Sequence, residues 1–233
     1  MKIGEGLEVL ELKRDNRILN SVLIWDENDM ALIDTGLPGM FLDIIKEIEA
    51  AGTYFERLKK VIITHHDIDH IGSLTDIVNK SKGKIEVIAH TLEAPYINGE
   101  EQSLKMTPER LKAMPREERA RFKALKTEVD TEVSDGEILP YFGGITIIHT
   151  PGHTHGHICL YLHKYKTLVT GDALNVEGGQ LIGPKQEYTY DMPLALTSLK
   201  KLLDYDIETI ICYHGGIFKG DISNRISKLS GVQ

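Results

Sequence analysis

Residues 60–72 constrain the fold more than any other stretch: the β-branched run Val61, Ile62 and Ile63 leads into Thr64, His65, His66, Asp67, Ile68, Asp69, His70, Ile71 and Gly72. An apolar extended run that ends in a polar turn and a helical pattern is a strand delivering side chains to its C-terminal end. His65, Asp67 and Asp69 stand two apart, so an extended backbone puts them on one face. His66 points to the opposite face, and His70 follows as the chain turns into the helix. Imidazole nitrogens and carboxylate oxygens this close together suit one or two divalent cations of the zinc, iron or manganese kind. The competing reading is a solvated polar loop in which Asp69 caps the helix that begins near Ile71.

The same event recurs along the chain. Residues 22–25 and 30–33 read as a hairpin around the turn signal at 26–29, and the second strand ends in Asp34, Thr35 and Gly36. Asp34 could there either stabilise the turn or orient a metal-binding histidine. Phe41, Ile44, Ile45 and Ile48 mark a helix stopped by Gly52, Ile71, Leu74, Ile77 and Val78 mark another, and residues 85–89 the next strand. This strand and helix alternation predicts an α/β fold. Residues 91–130 break the rhythm and read as a helical insertion, with helix starts at Thr107-Pro108 and Pro115 and a mixed-charge stretch at 115–121 that suits either a solvated surface or a lid. Strand signals return at 145–148 and run into a turn carrying His149, His153, His155 and His157. Residues 158–162 and 167–170 form another hairpin ending at Gly171-Asp172, residues 193–203 read as a helix, and the strand at 210–213 runs into His214. Without an internal linker or low-complexity tract, one domain over residues 1–233 is the expectation.

Composition narrows the function. The 233 residues are 41% hydrophobic and 27% charged, ordinary values for a globular protein, and the formal charge of -8 disfavours a nucleic-acid partner. No apolar run of membrane-spanning length occurs, and residues 1–12 lack the pattern of a signal peptide, so a cytoplasmic protein acting on a small molecule is expected, with a homodimer as an open arrangement. Cys159 and Cys212 lie in apolar runs and read as buried free thiols, neither a disulfide framework nor nucleophiles.

The segments at 32–36, 64–72, 150–157, 171–172 and 213–216 appear in an order that resembles the metallo-β-lactamase-fold superfamily, over most of the chain. The resemblance implies an αββα sandwich, an α/β layered fold with the helical insertion added, and a binuclear metal site at its edge. Carried over by position, one metal ion would take His65, Asp67 and His153, the other Asp69, His70 and His214, with Asp172 bridging. The chain departs from the family pattern at Asp67, where histidine is usual. The two divalent ions are zinc by family, while the oxygen ligand of Asp67 favours iron or manganese.

What the resemblance implies chemically is hydrolysis by a metal-supplied hydroxide, with Asp69 holding the water and moving its proton. The expected substrate is a small ester, lactone or thioester, as in the lactonase and glyoxalase II type branches. The alternatives are a phosphodiesterase, a mononuclear iron thiol dioxygenase or other iron redox protein on the same fold, and a metal-stabilised binding protein. Of the other histidines, His90, His149 and His163 read as ordinary polar or turn residues, while His155 and His157 stand near enough to His153 to support it or to touch substrate.

Overall fold

The computed structural model describes residues 1–106, 108–116, 119 and 125–231. Over these residues, β1 (Lys2–Gly4), β2 (Leu7–Arg14), β3 (Arg17–Trp25), β4 (Met30–Ile33), β5 (Leu58–Ile63), β6 (Glu86–His90) and β7 (Thr131–Val133) form one sheet in sequence order. The pairs from β1 to β4 are antiparallel, and those from β4 to β7 are parallel. A second sheet contains β8 (Ile138–Leu139), β9 (Ile145–His149), β10 (Ile158–Leu162) and β11 (Thr167–Val169). After a separate ribbon of β12 (Asn175–Glu177) and β13 (Gln180–Ile182), it is completed by β14 (Thr209–Cys212) and β15 (Gly216–Phe218), in the order β15-β14-β11-β10-β9-β8.

Side-chain alternation explains the layering. Ala31, Ile33, Ile62 and Ile88 of the first sheet meet Ile147, Leu160, Val169 and Ile211 of the second in one buried cluster. Their neighbours Leu32, Val61, Ile63 and Val87 point the other way, onto Ile44 and Ile48 of α1 (Phe41–Ala50). After the short α2 (Ile68–Ile71), Leu74 and Ile77 of α3 (Leu74–Ser81) cover the same face. On the far side, Ile148, Cys159, Leu168 and Ile210 pack against Leu199 and Leu202 and against the C-terminal helix that carries Ile222 and Ile226. The result is the expected helix–sheet–sheet–helix sandwich, an α/β fold.

The helix predicted through Ile71 and Leu74 is two helices, the break falling at Ser73 (φ -107°, ψ 7°), while Gly72 before it is helical and lies so near the backbone of Leu37 and Pro38 that a Cβ there would collide with it. The insertion contains α4 (Ala94–Ile97) and α5 (Pro108–Ala113), which starts where the Thr107-Pro108 signal put it. Of the mixed-charge stretch, residues 117–118 and 120–121 lie outside the described residues. The helix expected at 193–203 is α6 (Met192–Ser198) followed by a tighter 3-10 turn over Leu199–Asp204, and α7 (Ile222–Leu229) ends the described chain. Among the described residues no helix is long and apolar enough to cross a membrane.

Strands β4 and β5 are parallel, as are β11 and β14, and β9 is aligned with β11 across β10. Their C-terminal ends carry Asp34, His65, Asp172, His214 and the His153 turn. Links between the sheets there include a bridge between Leu19 and His214 and the Ile158 N–H donating to the Thr64 carbonyl at 3.1 Å.

Candidate metal centre

The convergence expected from the sequence is realised at this edge. The donor atoms of His65, Asp67, His153 and Asp172 lie within 4.8 Å of one another, as do those of Asp69, His70 and His214. In the first group, Asp67 Oδ2 is 3.2 Å from His65 Nε2 and 3.1 Å from His153 Nε2. In the second, Asp69 Oδ2 is 3.3 Å from His214 Nε2. Asp172 spans both, with Oδ2 at 3.4 Å from His153 Nε2 and Oδ1 at 3.2 Å from His70 Nε2 and 3.4 Å from His214 Nε2. The helix-cap reading fails, since Asp67, not Asp69, precedes α2, and its side chain accepts no capping hydrogen bond.

His70 and His65 are each turned by a partner on the other nitrogen. Asp34 has φ 60°, a left-handed conformation that Asp tolerates better than most residues, and its carboxylate accepts from the Thr64 N–H at 2.9 Å and the Thr64 hydroxyl at 2.8 Å. Asp34 Oδ2 is also 2.8 Å from His70 Nδ1, which must donate to it and so directs Nε2 inward. Of the two sequence readings of Asp34, the orientation of a histidine is the one its carboxylate serves, since its partners are Thr64 and His70 and not the backbone of its own turn. Since the Thr64 hydroxyl is donating to Asp34, its oxygen accepts from His65 Nδ1 at 3.1 Å, which leaves His65 Nε2 as the inward lone pair.

His157 has a different task. Its Nε2 accepts from the Asp172 N–H at 3.0 Å and its Nδ1 donates to the Thr150 hydroxyl at 2.9 Å, so both nitrogens are engaged and the ring supports Asp172. The turn that presents Asp172 needs Gly171: its φ is 48°, and a Cβ there would stand 2.7 Å from His157 Nε2. His155 reaches Tyr96 and Tyr190 instead of the cluster, and His90 stacks on His149 at 4.2 Å.

Three further residues at the centre went unassigned in the sequence reading. Tyr213 lies with its ring 3.9 Å from that of His70, and its hydroxyl donates to the Asp69 carbonyl while accepting from the Gly36 N–H at 3.2 Å. Glu93, at the head of the insertion and fully buried, accepts from the His66 N–H at 2.8 Å, from His66 Nδ1, and from the Thr154 hydroxyl and Gly156 N–H, both at 2.7 Å. That accounts for His66, which faces away from the cluster as expected. Lys105 approaches Asp67 Oδ2 and stands 2.7 Å from His153 Nε2. Neither acidic Glu93 nor Lys105 has a local sequence signal, whereas the aromatic before His214 could have been weighed as a ring over the site.

The donor set fits metal ions. His65 Nε2, His70 Nε2 and Asp172 Oδ1 are buried and lack any hydrogen-bond partner, although other donor atoms stand 3.2 Å away. Two ligand atoms each about 2.05 Å from one ion at the tetrahedral angle would be about 3.3 Å apart, which is the spacing seen here. Buried, unpartnered and convergent atoms of this kind are what a cation would satisfy.

Charge at the centre is arranged in advance. Burial and the neighbouring His70 hold His65 well below the ordinary histidine range. Burial would raise Asp67 and Asp172, but facing imidazoles, His65 for one and His214 for the other, hold both well below the carboxylate range. For His214, burial is outweighed by Asp172 and Asp69, and its pKa is pushed up to about 9. His70 is likewise raised well above its ordinary value, burial being overcome by Asp34 and Asp172. A cation entering this half therefore expels protons, and metal affinity is expected to rise about tenfold per pH unit for each proton released. For His214 that rise should level off above about pH 9. Calorimetric titrations across this range check it, and an affinity independent of pH below 9 would contradict it.

Comparison with known proteins gives the family. The sequence profile of the metallo-beta-lactamase superfamily matches residues 14–214, the span from β2 to His214. The chain belongs to the metallo-beta-lactamase superfamily. A probable metallo-hydrolase of Bacillus subtilis, YflN, is 27% identical over 227 residues, covering 89% of this chain and 85% of that protein. The hydroxyacylglutathione hydrolase GloC of Haemophilus influenzae is 32% identical over 205 residues, covering 84% of this chain and 85% of that protein. The crystal structure of a metallo-beta-lactamase family protein of Thermus thermophilus, TTHA1429, superposes with a TM-score of 0.78 at 24% identity, over 99% of this chain and 80% of that one, and shares the fold. This superfamily member is thus an enzyme, a hydrolase with a histidine and aspartate centre for divalent metal.

Proposed function

We propose that the chain hydrolyses a small ester, lactone or thioester with two divalent metal ions, one held by His65, Asp67 and His153, the other by Asp69, His70 and His214, and both by Asp172. The observation that supports two ions is that the oxygens of Asp172 face different donor groups, Oδ2 toward His153 and Oδ1 toward His70 and His214. Bound divalent ions supply an acidified water as nucleophile at neutral pH and a Lewis acid for the carbonyl. Asp69, whose side chain is one-quarter exposed, would be the residue to take up a proton from the nucleophile and return it to the leaving group. Tyr213 fixes the Asp69 backbone through its hydroxyl. Cys159 and Cys212 take no part: both are buried free thiols, pushed up to about 12 by burial.

The names of relatives support acyl transfer to water, hydroxyacylglutathione in one case and an acyl carrier thioester in another. The formal charge of -8 argues against nucleic acid, and the cytoplasm suits an enzyme with two reduced thiols. Assays with one lactone, one thioester and one bis-aryl phosphodiester test the reading. Turnover of the lactone or thioester is expected, and turnover of the phosphodiester alone would overturn it.

Zinc is the metal expected from the family, and Asp67 is expected to move the preference toward iron or manganese. Loading wild type and Asp67→His from an equimolar mixture of the three should give wild type the larger share of iron and manganese. Identical occupancies would contradict that role for Asp67.

A further inference from the structure

The group facing the first donor set is a side chain of the insertion. The Lys105 ammonium donates to Asp67 Oδ2 and, at 2.7 Å, to His153 Nε2, the atoms assigned above to one metal ion. Those acceptors are 3.1 Å apart, and the side chain of Lys105 is 19% exposed. The hydrogen bond uses the lone pair of His153 that would bind metal, so the two interactions exclude each other. A divalent ion and an ammonium among the same atoms also repel strongly, since little water lies between to screen them.

Within the segment around Lys105, residues 102–106 bond to one another. The Met106 N–H donates to the Ser103 carbonyl at 3.0 Å, and Gln102 Nε2 donates to the Met106 carbonyl. Firmer anchors lie outside it: the Glu101 N–H on the Pro95 carbonyl at 3.0 Å, the Thr127 N–H on the Ile97 carbonyl at 3.1 Å and the Val129 N–H on Asn98 Oδ1 at 2.9 Å. Moving Lys105 away from Asp67 therefore displaces residues 102–106 without unfastening the insertion.

We propose that Lys105 is an internal cation that holds the Asp67 and His153 donors in the metal-free protein and is exchanged for the metal ion there. Lys105 thereby sets the affinity and selectivity of that half of the centre and makes the position of residues 102–106 depend on metal loading. The proposal rests on the two-metal reading above. Lys105→Met keeps most of the aliphatic stem and removes the ammonium.

The test is a calorimetric titration of metal-free wild type and Lys105→Met with Zn²⁺, together with amide hydrogen exchange over residues 102–106. One of two equivalents should tighten by about tenfold or more in the variant while the other changes little. Exchange in this segment should rise on metal addition in wild type and be already high in metal-free Lys105→Met. Two equivalents of unchanged affinity, weaker binding in the variant, or exchange indifferent to metal in wild type would overturn the role of Lys105 and leave the two-metal centre standing. Failure of both proteins to bind Zn²⁺ would overturn the centre itself.

Discussion

Replacing Asp172 with alanine is expected to remove both metal ions and abolish turnover. Its two oxygens face both donor groups, and its backbone N–H is held by His157, so the carboxylate is the shared wall of the centre. Residues that merely support a metal ligand change affinity by about 10–100-fold when replaced, and loss of a ligand common to two ions should exceed that range. Metal content after dialysis and turnover on a substrate identified by the assays above are the readouts. A variant that kept full metal content with normal turnover would refute the bridging role.

The second large effect is expected at Glu93. Its carboxylate is buried and accepts from His66 on the first ligand loop and from Thr154 and Gly156 on the second, so it fastens the turn after β5 to the turn after β9. Although burial by itself would raise its pKa, the hydrogen bonds from His66 and Thr154 lower it, and the group stays ionised. Breaking a buried charge network from one side costs about 3–5 kcal/mol, and Glu93→Ala should lose that much stability in denaturant unfolding of the metal-free protein. Metal affinity should fall with it, because His65 and His153 would no longer be held at a fixed separation. Glu93→Gln should lie between, as its amide oxygen can serve only one of the two loops. Unfolding within about 1 kcal/mol of wild type for the alanine variant would show that the loops are held by other means.

These two residues mark what could be read in the chain and what could not. Asp172 was legible because it follows an apolar strand, as do His65 and His214, and strands aligned in one direction deliver their C-terminal ends to one edge. The same pattern reading predicted the hairpins and the helix over Phe41–Ala50, while the layered sandwich was what the family resemblance implied. Glu93 was not legible, since its burial results from two loops separated by over eighty residues closing on it. Lys105 lies in a polar insertion with no periodicity to fix where its side chain goes. The short strands Thr131–Val133, Ile138–Leu139 and Gly216–Phe218 have too few residues for alternation to register, and they form by pairing with neighbours already in place. The break at Ser73 and the close approach of Gly72 to Leu37 and Pro38 are features that only the folded chain reveals.

The most direct measurement is the metal content per chain of protein purified without chelator, by plasma mass spectrometry. The two donor groups joined by Asp172 lead to an expectation of about two equivalents of zinc, manganese or iron. A single equivalent of iron would point instead to a mononuclear centre and a thiol dioxygenase, and no metal even after reloading would contradict the ligand assignment.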